Sequence, residues 1–89
     1  MKLEIIEWDD AWFLEEKADI SNLICEPYKT ETVGWVVKEN ARGVVISPER
    51  HKNPTLQGEV NYPIFIPKKM ITNRIVLKEE VEQEESGEG

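Results

Sequence analysis

Between Thr30 and Leu77 apolar residues fall into short runs of alternating polarity, each closed by turn formers, a pattern that predicts a strand-rich fold. Val33, Trp35 and Val37 alternate with Thr32, Gly34 and Lys38, as expected of a strand with one buried face. That reading points Trp35 inward. Gly34 within the run predicts a bend, a bulge or the close approach of another backbone. Asn40-Ala41-Arg42-Gly43 reads as a tight turn with Gly43 at positive φ, and Val44 to Ser47 as the returning strand, ended by Pro48.

Residues 49 to 59 have the composition of an exposed loop, with turn signals at Asn53-Pro54 and Gly58. Val60, Tyr62, Ile64 and Ile66 then alternate along a further strand. Pro63 and Pro67 share a parity, so both missing N–H groups lie on one side, which makes this strand an edge or a bulged one. Lys68-Lys69 forms a short turn. Ile71 to Leu77 is the last strand, with Ile71, Ile75 and Leu77 on one face.

Ahead of this region, Leu3 to Trp8 reads as a first strand in which Leu3 and Ile5 alternate with acids before the pattern slips at Ile6. Asp9 or Asp10 caps an expected short helix through Glu15 to Ala18, with Ala11, Leu14 and Ala18 on one face. Asp19 to Pro27 is expected to be irregular, with Ile20, Leu23 and Ile24 packed inward and Trp8 and Trp12 anchoring the N-terminal segment.

The chain of 89 residues is short enough for one domain, read as residues 1–78, followed by an acidic, disordered tail over 79–89 that holds six glutamates and no base. A core of this size rarely supplies more than roughly 3 to 5 kcal/mol. The single cysteine, Cys25, excludes an internal disulfide, so self-association is the expected route to further stability, and a homo-oligomer is predicted. A lone thiol, no apolar leader and no membrane-spanning run fit a soluble, cytoplasmic protein. Cys25 itself is expected to be buried.

Net charge is −7, unevenly spread: −6 over residues 1–28, +5 over 29–78 and −6 over 79–89. The strand-rich region is therefore basic between two acidic flanks, and a nucleic-acid partner stays compatible with the low overall charge. Catalysis has little to stand on. No Gly-rich phosphate loop, zinc-spaced Cys/His set or activated nucleophile is present, and His51 sits among Glu49, Arg50 and Lys52 as a solvent-facing loop residue. No catalytic residue, metal or cofactor is assigned, and the protein is read as non-enzymatic.

Five short strands, one bent at Gly34, with a brief turn before the last, describe a mainly β domain of SH3-like or Sm-like barrel type carrying a short N-terminal helix or loop insertion. The segments Val33-Gly34-Trp35-Val36-Val37, Val44-Val45-Ile46 and Ile66-Pro67-Lys68-Lys69-Met70-Ile71, with Trp8-Asp9-Asp10-Ala11, resemble those of small phage and prophage proteins. The second half also resembles Sm-like proteins, which form rings and bind RNA. That resemblance implies a nucleic-acid site with Asn40 and Arg42 in one half and Lys68 and Lys69 in the other. It departs from the Sm pattern in lacking an Asp-x-Met-Asn signature and in the length between its first two strands. The alternative is a protein-interaction module engaging a host or virion protein through an exposed strand edge and the acidic N-terminal segment.

Overall fold

The computed structural model describes residues 1–56 and 58–80. Alternating polarity becomes seven strands: β1 (Lys2–Asp10), β2 (Tyr28–Glu39), β3 (Gly43–Ser47), β4 (Glu49–Arg50), β5 (Val60–Asn61), β6 (Ile64–Pro67) and β7 (Ile71–Glu79). Five form one antiparallel sheet in the order β6-β3-β2-β1-β7, and β4 with β5 makes a separate two-stranded ribbon. The expected mainly β architecture with five principal strands is present. β6, which ends in Pro67 and follows Pro63, lies on a sheet edge as those prolines require.

The sheet curls but stays open. Ile6 and Trp8 of β1, Val44 and Ile46 of β3 and Ile66 of β6 form one buried cluster, against which Val36 of β2 and Ile71 of β7 pack. Side chains from both edge strands thus meet over a common core. No strand pairing joins β6 to β7 among the described residues, so the expected closed barrel is not found. A 3-10 turn at Lys68–Met70 crosses that gap.

Which face turns inward reverses the expectation. The concave face carries Glu4, Ile6 and Trp8, paired across β1 and β2 with Gly34, Thr32 and Thr30, whereas Leu3, Ile5, Val33, Trp35 and Val37 lie on the convex face. Gly34 supplies the reason. A Cβ there would stand 2.5 Å from the Ser47 carbonyl oxygen, so the close approach of the β3 backbone needs a residue without a side chain, and its concave neighbours follow by parity. In β7, register shifts at Glu7/Trp8 and Leu3/Glu4 split the expected Ile71-Ile75-Leu77 face, leaving Ile71 on the core and Ile75 outside.

Further differences are local. No helix forms at Glu15–Ala18: residues 11–27 make a long loop with one 3-10 turn at Ile20–Asn22, because so short a helix needs a packed apolar face and Ala11, Leu14 and Ala18 all stay exposed. Ile20, Leu23 and Ile24 are exposed, as is Cys25. Gly43 is not at positive φ; Asn40 closes the turn with its own side chain, and Gly43 is needed because a Cβ would meet both the Ile66 carbonyl and the Phe65 ring at 2.5 Å. The run from Val60 to Ile66 breaks at Tyr62, whose φ of 60° separates β5 from β6. Of the acidic C-terminal segment, Glu79 ends β7 and Glu80 exchanges backbone hydrogen bonds with Met1; residues 81–89 lie outside the described residues.

Candidate functional site

The β2–β3 turn and the Lys68–Met70 turn are tied together by their backbones. Asn40 Oδ1 accepts from the Arg42 and Gly43 amides at 2.8 and 3.2 Å, and the Lys68 amide donates to the Arg42 carbonyl at 2.9 Å. Asn40, Arg42, Lys68 and Lys69, four positions spread over thirty residues of sequence, therefore occupy one rim of the sheet. Their roles divide. Asn40 spends its oxygen on the turn and keeps only its amide N–H groups for a ligand, while Arg42 and Lys69 are exposed and carry no ion pair among the described residues.

Lys68 is engaged differently. Its Nζ lies 3.0 Å from Glu39 Oε2, and Glu39 also receives Arg74 Nη1 and Nη2 at 2.9 and 3.0 Å. Arg74 turns the rest of its guanidinium to Glu4, with Nε at 2.8 Å from Oε1 and Nη2 at 3.0 Å from Oε2. One arginine thus grips two carboxylates. Its hydrogen bonds to Glu39, joined by those of Lys68, hold the Glu39 carboxyl down at about 2, and the same contacts with Glu39 and then Glu4 raise Arg74. The lattice pins β1, β2 and β7 to the turn that bridges the sheet opening.

A residue that sequence reading passed over completes the rim. Phe65 pairs with Val45, which pairs with Lys38, so the three lie on one convex face of adjacent strands. Phe65 is 52% exposed, and its ring covers Gly43 beside Arg42. The signal was present as Gly43, whose lack of a side chain makes room for a ring. An aromatic face on the same side of the sheet as Lys38, at the end that carries the turns of Arg42 and Lys69, combines a stacking surface with phosphate-seeking charges.

Two other sites have different chemistry. Trp35 is half-buried on the convex face, with the Arg50 guanidinium 3.7 Å above its ring and Arg50 in turn paired with Glu80. At the base of the long loop, Trp12 stacks on Tyr28 at 6.0 Å and donates its indole N–H to the Glu26 carbonyl. Leu14, Leu23, Ile24 and Pro27 join them around a shallow cavity of about 340 Å³. Among the described residues no group of His, Cys, Asp and Glu is arranged to hold a metal ion, and no helix is long and apolar enough to cross a membrane. No protein-family model, curated protein or solved structure matches the chain.

Proposed function

We infer that the protein is a small nucleic-acid-binding domain that takes single-stranded RNA across the rim formed by the β2–β3 turn and the Lys68–Met70 turn. The observation that carries this reading is the Lys68 amide to Arg42 carbonyl hydrogen bond, which joins the turn bearing Arg42 to the turn bearing Lys69 at the end of the sheet where the exposed Phe65 ring covers Gly43. Arg42, Lys69 and Lys38 meet phosphates, Phe65 stacks one base, and the Asn40 amide reaches a base edge or a 2′-hydroxyl. Lys68 contributes less, since Glu39 neutralises it. Recognition of this kind tolerates sequence, because a ring face and point charges read no donor and acceptor pattern.

The same reading treats the curled sheet as an SH3-like or Sm-like barrel. Its support is the strand order, in which the last strand returns to pair with the first after a 3-10 turn, and the shared core of Ile66 and Ile71 across the gap. The test is fluorescence anisotropy of a labelled, unstructured RNA over a salt series. Two or three phosphate contacts give a slope of log K against log salt of roughly −1.5 to −2. Arg42→Ala or Lys69→Ala is expected to flatten that slope, and Phe65→Ala to weaken binding by about 1 to 3 kcal/mol at unchanged slope. An RNA that stays unbound at low salt ends the reading.

A protein-interaction role is the second reading, favoured by the long loop, which leaves Phe13 and Ile20 at 78% and 85% exposure and whose Leu14, Leu23 and Ile24 line the Trp12–Tyr28 cavity. Its partner is expected to be a host or virion protein, retained in a pull-down after nuclease treatment.

A further inference from the structure

The convex face of the sheet carries an apolar row that the chain itself leaves uncovered. Ile5 pairs with Val33 on one side and Ile75 on the other, and Val33 and Ile75 are 49% and 41% exposed. These residues have the alternation of a buried face, yet the bend at Gly34 turns the opposite face inward. On either side of the row the charges differ in sign. Towards the long loop Glu7 and Glu31 are direct cross-strand partners, a like-charge pair that weakens an isolated sheet. Towards the other end lie Trp35 under Arg50, and Lys78 opposite Leu3, two cations that share the single carboxylate of Glu80 and so leave that end net positive.

We propose that this face is a two-fold interface with a second copy of the chain, centred on the Val33–Ile5–Ile75 row. A two-fold axis lying between the sheets and crossing the strands at that row reverses strand direction while keeping each strand over its own counterpart. Val33, Ile5 and Ile75 then meet their own copies. Glu31 of one subunit faces the Trp35–Arg50 corner of the partner subunit, and the Glu7 end faces the Lys78 end. An axis along the strands would stack the acidic ends on each other, so charge selects the first arrangement.

Size sets the strength. Three strands about 4.8 Å apart and three rows about 6.8 Å apart cover roughly 300 Å² per subunit. Stable complexes bury about 800 Å² per partner, so the dimer is concentration-dependent, with a dissociation constant in the micromolar to millimolar range. The interface leaves Phe65, Arg42 and Lys69 outside it, and the inference holds whether or not RNA binds there.

Sedimentation equilibrium of the full chain, up to roughly millimolar concentration, tests it. Val33→Lys and Ile75→Lys place a charge at the centre of the row and are each expected to raise the dissociation constant roughly 30-fold or more while leaving the circular dichroism of the monomer unchanged. Glu31→Lys separates interface from fold, because it removes the like-charge pair within the sheet and raises thermal stability, yet sets a lysine against the partner's Arg50 and weakens the dimer roughly 3-fold or more. A chain that stays monomeric throughout the series, or a dimer that Val33→Lys and Ile75→Lys leave intact, overturns the proposal.

Discussion

Arg74→Met is the substitution that most directly probes how this small sheet is held. Glu4 is 2% exposed and its carboxylate is gripped at both oxygens by Arg74, so methionine leaves a buried charge without its partner. Breaking such a pair from one side costs about 3 to 5 kcal/mol. A core of five buried apolar side chains in a domain of this size supplies a total of roughly the same amount. The single variant is therefore expected to be largely unfolded at room temperature. Urea titrations followed by far-UV circular dichroism and tryptophan fluorescence measure the loss. Removing both charges tests the cause, since Glu4→Leu with Arg74→Met leaves no uncompensated carboxylate and is expected to recover most of the stability. Loss of under about 1 kcal/mol in the single variant, or a double variant no better than it, would refute the reasoning.

Gly34→Ala places a Cβ 2.5 Å from the Ser47 carbonyl oxygen and 3.0 Å from an Ile46 side-chain carbon, contacts that backbone relieves only by shifting. A loss of about 1 to 3 kcal/mol in urea unfolding is expected, and a change under about 0.5 kcal/mol would show that the bend is slack. Glu39 gives a pH dependence. Its carboxyl is held down at about 2 by Arg74 and Lys68, so the stability it contributes is complete above the ordinary carboxylate value and is lost as pH falls towards about 2. Because the side chain is 35% exposed, screening limits that contribution to about 1 kcal/mol. Wild type and Glu39→Gln are expected to differ in urea midpoint at neutral pH and to converge between about pH 5 and pH 2; a constant offset across that range would exclude the linkage.

Strand positions were legible because the period of two in β2, the turn at Asn40 and the prolines around β6 are local signals that need no knowledge of neighbours. The site was legible in part. Asn40, Arg42, Lys68 and Lys69 stand out as turn residues, but that Lys68 is neutralised depends on Glu39, and Glu39 is oriented by Arg74 from a strand thirty-five residues away. Phe65 was missed because the alternation of Val60, Tyr62, Ile64 and Ile66 drew the reading to the opposite face and left the ring between Ile64 and Ile66 without a role. The expected helix after Asp10 failed for a related reason: Ala11, Leu14 and Ala18 all stay exposed, and a short helix without a buried face does not persist.

By itself the sequence determined the mainly β class, the places of the five principal strands, the edge character of β6, the need for a side-chain-free position at Gly34 and the basic region between acidic flanks. Tertiary structure decided which face of the sheet is inside. Alternation is symmetric between two faces, and the larger apolar face of β1 and β2 was the natural choice from composition alone. The approach of the Ser47 carbonyl to Gly34 breaks that symmetry, since no side chain fits between them, and the side chains next to Gly34 are then assigned to their faces by parity.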